Sequence, residues 1–557
     1  MKFKTIVATV LAAATVIGVS ACGGNDAALK NEGAVVNIST ISTTQLTENW
    51  NPLSTTASQG TVGVLYEPLF FQNVAGGETE LQPMLGTSYQ FNDDNTELTI
   101  TLREGVKWSD GTDLTVDDAV YTFNLIASND ALNSTGFHGK AEKVDDVTFK
   151  LKYDSVSTVG AISQLTGVTI VPKHVFEKMS DIVTDTNKNP VTSGAFTFSE
   201  DDFSPQSYQF RKNKNYYVDG EPSIDGVRYT SYAGGQASQD AIVSGDIDWA
   251  SNVFQDPETQ LKDAPVSYLT LPASAQVLVT CSNVDLGCTG PQTDVAVRKA
   301  IYYGMNRKQL NKLAFYGIFY DSSSSLTPVP ENEEFLSKEV PEPTVSEDAQ
   351  VDKAKQLLEE AGYTLGEDGI YQKDGVKLSF EVPAISGWTE SINGADTAGE
   401  QLKEIGIELK AKQVSANEMS ELTSKGDFQI LTQNLWYSGA EPYNFYNTFY
   451  STVQTAKVGE AGSFGWARYS NPTVDDALKA VDSTTDISEK KKQYAIIQQA
   501  VYDDMPYIPM MRTATMVEMS KDFDGWPTKD NLYAAPASWN TWDAGIILRK
   551  LTAVSKN

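Results

Sequence analysis

Histidine is nearly missing from this chain, with 2 in 557 residues. That scarcity leaves little for a zinc site or an imidazole relay, and no H-E-x-x-H occurs. Cysteine is almost as rare, at 3. Neither a GxxxxGK[ST] loop nor a GxGxxG placed after a strand is present, so the common phosphate cradles are absent. Positive charge is in deficit: 43 Lys and Arg stand against 73 Asp and Glu, and a formal net charge of -30 repels nucleic acid. Acidic pairs such as Asp93-Asp94, Asp117-Asp118 and Asp475-Asp476 read as solvated faces and helix starts, not as paired catalytic carboxylates. His174 reads as structural and His138 as a loop residue. The expectation is a protein that is not an enzyme, with no catalytic residue, no metal ligand and no cofactor.

What is present begins with an address. Lys2 and Lys4 precede an apolar stretch, Thr5 to Val19, which is too short to span a bilayer comfortably. It ends in Val19-Ser20-Ala21-Cys22, similar to the lipobox of bacterial lipoproteins, which implies cleavage before Cys22 and lipidation of that residue. Residues 23–34 read as a polar, flexible tether. No later run of about 18 apolar residues follows, so the body is expected to be extracytoplasmic, held to the cell membrane by lipid alone. Such a compartment permits disulfides, and the C-x6-C spacing of Cys281 and Cys288 reads first as a small loop-closing bridge.

Along the body, 40% hydrophobic and 10% aromatic content indicate a folded globular protein of several domains. Val35 to Ile41 alternates as a strand does, as do Leu98, Ile100 and Leu102, and later Val147, Phe149 and Leu151. Thr115-Val-Asp-Asp118 matches a capping box ahead of a helix carrying Val116, Val120, Phe123 and Ile126. Residues 81–170 thus form an α+β unit. Asp294 and Asn471-Pro472 read as helix starts, and Gly362 as a helix stop. Val376 to Val382, Leu402 to Ile405 and Ile407 to Ala411 suggest strand, helix, strand. The segment from Pro328 to Pro343 reads as a surface loop.

One stretch stands out. Phe428 to Tyr450, FQILTQNLWYSGAEPYNFYNTFY, is crowded with aromatic rings and carries no charge but Glu441. A strand-like lead reaches Trp436-Tyr437, a small-residue break follows at Ser438-Gly439-Ala440, and a second aromatic run begins at Tyr443. Each ring has a core reading, but the break between two ordered runs is where sites sit.

Several stretches, read in order, resemble the bacterial extracellular solute-binding proteins of family 5. The most specific is Leu98-Thr-Ile-Thr-Leu-Arg103-Glu-Gly-Val-Lys-Trp108-Ser-Asp110-Gly111, running on through Leu114-Thr115-Val-Asp117-Asp118. Tyr66-Glu67-Pro68-Leu69, Val171-Pro172-Lys173-His174, Gly245-Asp246-Ile247-Asp248, Tyr469-Ser-Asn471-Pro472 and Met505-Pro506-Tyr507-Ile508-Pro509 continue it. Thr192-Ser193-Gly194-Ala195-Phe196 departs from the family's GTGPF.

The resemblance implies a two-lobed α/β periplasmic-binding-protein-like fold (type II, of the large cluster with an extra α+β domain) and a ligand cleft between the lobes. Its expected parts are lobe I at 35–69, 189–285 and 515–557, the extra domain at 70–188, and lobe II at 286–514. It implies the substrate-binding role in an ABC importer for oligopeptides, with oligosaccharides as the alternative ligand and a non-transport surface sensor or enzyme as a remote alternative, permease subunits as partners, and a monomer. The expected ligand-binding residues are Asn434, Trp436, Tyr437, Ser438, Gly439, Glu441 and Tyr443. Peptide binders of the family carry an Asp near this tryptophan to meet the ligand's free amine; Ser438 and Gly439 stand there instead. A buried ammonium needs a carboxylate, so either Glu441 substitutes or the ligand is uncharged at that point, as a sugar stacked on the aromatic rings would be.

Overall fold

A computed structural model describes residues 33–40 and 45–555. The signal segment, the lipidation expected at Cys22 and the tether up to residue 32 lie outside these described residues. Among the described residues, no helix is long and apolar enough to cross a membrane.

Strand β1 (Val35–Ser39) is buried along its length apart from Asn37. The chain then leaves for a separate antiparallel sheet of β2 (Gly86–Phe91), β3 (Glu97–Leu102), β4 (Gly139–Lys143) and β5 (Thr148–Tyr153), in the order β2-β3-β5-β4. β3 has the predicted alternation: Leu98, Ile100 and Leu102 face inward. Helix α1 (Val116–Ala127) starts at the predicted capping box, where the Thr115 N–H donates to Asp118 Oδ2 at 2.8 Å. Helix α2 (Thr158–Gly167) follows.

The chain returns through β6 (Phe196–Thr197), β7 (Ser207–Lys212), β8 (Gly226–Thr230) and β9 (Trp249–Ala250) to lie beside β1. Trp50, fully buried, packs here against Phe198, Tyr208 and Phe210 at centroid distances of 4.3, 4.9 and 5.5 Å. Such ring pairs add about 0.5–1.5 kcal/mol each beyond area burial.

Strand β10 (Val266–Thr280) then runs out of this lobe. The second lobe contains β11 (Ser379–Ile385), α3 (Thr389–Leu402) and β12 (Glu408–Val414), a strand-helix-strand unit whose strands pair in parallel. Its helix begins well before Leu402, because small residues (Ser391, Gly394, Ala395, Ala398) carry the buried face and leave only a weak hydrophobic period. β13 (Ile430–Leu435), α4 (Tyr443–Tyr450), α5 (Pro472–Asp482) and α6 (Ile487–Asp504) follow. Strand β14 (Tyr507–Ser520) carries the chain back, and α7 (Thr541–Lys550) closes on the first lobe. The long sheet reads β13-β10-β14-β9-β1-β8-β7-β6.

β10 and β14 pair antiparallel almost end to end and are the two rails between the lobes. Val266 and Met516 pack in a first-lobe cluster, whereas Val277, Leu278, Ile508 and Met511 pack in second-lobe clusters. The register slips between Pro272 and Ala275. The crossing therefore lies inside β10, ahead of the boundary at 285 and 286 that the family resemblance implied. A continuous strand offers no compositional break to mark the point. Cys281 and Cys288 are bridged, with Cα atoms 5.5 Å apart, just beyond the end of β10. The segment from Pro328 to Pro343 is less superficial than its prolines suggested, since Asn332 and Phe335 are buried.

Candidate ligand cleft

β13 carries the aromatic stretch to the boundary between the lobes. Its last residues pair with the middle of β10, Asn434 opposite Gln276 and Leu435 opposite Ala275. Asn434 lines one cavity of about 320 Å³, together with Gln276, Trp388 and Thr513 of the second lobe and crossing strands, and Val253 of the first lobe. The Asn434 Oδ1 is enclosed and has no hydrogen-bond partner among the described residues.

The rings beyond β13 divide. Trp436 is 41% exposed and rests edge-on against Phe449, Phe464 and Trp466, at 4.9, 5.2 and 5.9 Å between centroids. One part of the indole is anchored in the lobe core and the rest is open. Tyr437 turns the other way. Its ring sits under the Arg512 guanidinium, 4.8 Å from the centroid, and its hydroxyl is enclosed without a partner. Burial raises its pKa above the ordinary tyrosine value. Arg512 is itself held by Glu331, with Nη1–Oε2 at 2.6 Å. Tyr443 is half-buried and its hydroxyl meets Asp482. Tyr437 thus packs beneath Arg512 and Tyr443 reaches Asp482, at the edge of the two cavities.

Ser438, Gly439 and Glu441 line a second cavity, of about 310 Å³. Gly439 has φ +81°, a left-handed conformation that explains glycine at the tip of the turn. Asn332 steadies the turn by donating from Nδ2 to the Ala440 carbonyl at 2.7 Å. The opposite wall comes from distant parts of the chain: Phe71, Val159 and Ile162, with Trp542 and Asp543 of α7. No pattern in the sequence pointed to these, because only tertiary folding brings them opposite Ser438.

Glu441 does not offer a free carboxylate to this cavity. Lys490 of α6 donates to both its oxygens at 2.7 and 3.0 Å, and the Tyr494 hydroxyl donates at 2.9 Å. Lys490 is only 5% exposed, so the pair neutralises itself inside the protein. Asp543 differs. Its Oδ1 accepts the Ala535 N–H at 2.7 Å, and no basic side chain pairs with it among the described residues. Loss of water around it pushes the carboxyl up to about 6. α7 is held close by a backbone contact that needs glycine: a Cβ on Gly545 would lie 1.8 Å from the Gly63 carbonyl oxygen.

The lobes also touch directly. The N-terminus of α2 meets the C-terminal end of α5, where Asp482 Oδ1 accepts the Val159 N–H at 2.9 Å and the Ser157 hydroxyl at 3.2 Å. The buried Thr158 hydroxyl donates to the carbonyls of Asp482 and Thr484, at 3.1 and 3.0 Å. An aspartate at the free N–H groups of a helix is a favourable charge–dipole contact. With Val159 packed in a second-lobe cluster, the arrangement is a closed one.

Residues 80–457 match the bacterial extracellular solute-binding proteins, family 5 (middle region). The chain belongs to this family. Among curated relatives of this family 5 protein is the oligopeptide-binding protein AppA of Bacillus subtilis (strain 168), 27% identical over 459 residues, covering 79% of this chain and 80% of the relative. Its fold matches the periplasmic oligopeptide-binding component of an oligopeptide ABC transporter from Thermotoga maritima, with a TM-score of 0.81 at 22% identity, covering 94% of this chain and 99% of the other. A mannohexaose-bound structure of that Thermotoga maritima protein also matches, with a TM-score of 0.73 at 22% identity and the same coverage.

Proposed function

We propose that this protein is the substrate-binding component of an ABC importer and captures oligopeptides in the cleft between its lobes. The observation that carries this reading is a cavity walled by both lobes beside a direct interlobe contact, in a chain of family 5 whose relative AppA is named for oligopeptide binding. Closure excludes water from the ligand and creates a surface that a membrane permease recognises. Lobe I comprises 35–69, 189 to the middle of β10, and the chain from the later part of β14; residues 70–188 are its extra domain and the remainder is lobe II. Lipid on Cys22 holds the monomer outside the cytoplasmic membrane. Trp436 and Asn434 with Ser438 and Gly439 contact the ligand, and catalysis forms no part of the role.

A second reading, an oligosaccharide ligand, is favoured by one specific observation: the half-open indole of Trp436 beside a turn whose only carboxylate is neutralised by Lys490. Thermal-shift measurement separates the two. A ligand at 100 times its dissociation constant adds about 2.7 kcal/mol, so stabilisation by short peptides with none by manno-oligosaccharides supports the first reading. The reverse result overturns it.

A further inference from the structure

The cavity between Ser438 and α7 has an unequal charge inventory. Among the described residues, no lysine or arginine lines it. Its two carboxylates are Glu441 from lobe II and Asp543 from lobe I. Glu441 is balanced within its own lobe by Lys490 and Tyr494. Asp543 is met by two backbone N–H groups, those of Ala535 and of Asp543 itself, and by no cation among the described residues. The cavity therefore carries close to one unbalanced negative charge, set in a wall that is otherwise uncharged and in part apolar through Phe71, Val159 and Ile162. A carboxylate kept away from water without a partner costs free energy. An arriving cation recovers that cost, and it does so in a place where the field is poorly screened.

We propose that Asp543 is the counter-charge for a positively charged group of the ligand, supplied from lobe I and facing the turn at Ser438–Glu441. This rests on the oligopeptide reading and deepens it, since the group that fits is the free amine of a peptide. The turn itself supplies no competing acid: Gly439 occupies a left-handed conformation that a side-chain-bearing residue adopts only with strain, and Glu441 is already paired. The amine would then be gripped by the lobe opposite to the turn, so its binding draws the two lobes together. α7 places Asp543 in its first turn, where the helix dipole favours the ionised form that a cation then meets.

The test uses a mixture of short peptides lacking Lys and Arg, the same mixture after N-acetylation, and mannohexaose, each applied to the wild-type protein and to Asp543→Asn. The Asn side chain retains an oxygen to accept the Ala535 N–H, so folding is preserved, and a melting curve checks it. The wild type is expected to bind the free-amine mixture about tenfold more tightly than the acetylated one, and Asp543→Asn to lose that preference. Adding Ser438→Asp to Asp543→Asn places a carboxylate on the opposite wall of the same cavity and is expected to restore it. A preference for free amines that survives Asp543→Asn overturns the assignment of Asp543 and leaves the peptide reading standing. Equal binding of the two peptide mixtures by the wild type does the same. Binding of mannohexaose with neither peptide mixture overturns both.

Discussion

Glu441 and Asp543 face one cavity from opposite lobes, yet they are electrostatically unlike. Glu441 has a lysine and a tyrosine hydroxyl within hydrogen-bond distance, and Asp543 has backbone N–H groups alone. The first is part of the scaffold, because its charge is cancelled before any ligand arrives. The second is held in reserve at a cost to the fold. What a carboxylate can do in a site is decided by what already surrounds it, not by its nearness to the site in sequence.

That contrast predicts effects of opposite sign. Glu441→Gln takes from buried Lys490 its hydrogen-bonded counter-charge and leaves only the more distant Asp482, and denaturant unfolding is expected to show a loss of about 3 kcal/mol. An unchanged midpoint would mean that Lys490 finds another partner. Asp543→Asn removes an unpaired, desolvated charge, so at pH 8 it is expected to stabilise the unliganded protein by roughly 1–3 kcal/mol. The two variants moving in the same direction would break the comparison.

A third carboxylate sharpens it by pH. Glu518 on β14 is fully buried; its Oε2 accepts the Asn252 N–H at 3.1 Å and its Oε1 has no partner. Desolvation pushes its carboxyl up to about 8. The folded state thus holds a proton that the unfolded chain releases near pH 4.5. Between those values the native state binds more protons, so stability falls as pH rises from about 4.5 to 8. Glu518→Gln is expected to flatten this slope and to add up to roughly 2 kcal/mol at pH 8. A slope unaffected by the substitution would place the titration elsewhere.

Two smaller effects concern closure and the rim. Asp482→Ala removes the acceptor at the N-terminus of α2 while leaving the carbonyls that Thr158 uses. Scattering in solution is expected to show a more open protein, with ligand affinity lowered about fivefold for a contact worth ~1 kcal/mol. Trp436→Ala touches neither cavity carboxylate. Because the indole is 41% exposed, it should weaken ligand binding by about 1 kcal/mol, and the loss of its contacts with Phe449, Phe464 and Trp466 should lower the melting temperature modestly without unfolding the protein. Unaltered affinity would assign the ring to the core.

The two sides of the cavity also differ in how legible they were. The Trp436–Glu441 turn announced itself by aromatic runs on either side of small residues, and its position beside Asn434 follows from a strand pattern in Ile430–Leu435. Local signals of the same kind located the Thr115 cap, the Asn471-Pro472 helix start and the alternation of β3, since each depends on residues a few positions apart. Asp543 carried no such signal. It looks like one more acidic residue in an acidic chain until α7 folds against Gly63. The partners of Glu441 lie on α6, where the burial of Lys490 is a tertiary event. Direction was equally hidden: adjacent residues Trp436 and Tyr437 point to opposite sides, one open and one beneath Arg512.

The paired rails between the lobes have a consequence for inheritance. Val279 sits opposite Tyr507, and the Thr280 N–H donates to the Pro506 carbonyl at 3.0 Å. Everything between those positions leaves and re-enters at neighbouring points, as a single uninterrupted cassette of coding sequence. Two nearby joints would suffice to exchange that cassette with a relative's. The turn at Ser438 and the Glu441–Lys490 pair would travel with it, whereas Asp543 would stay behind. A chimera of this kind inherits its ligand preference from two parents.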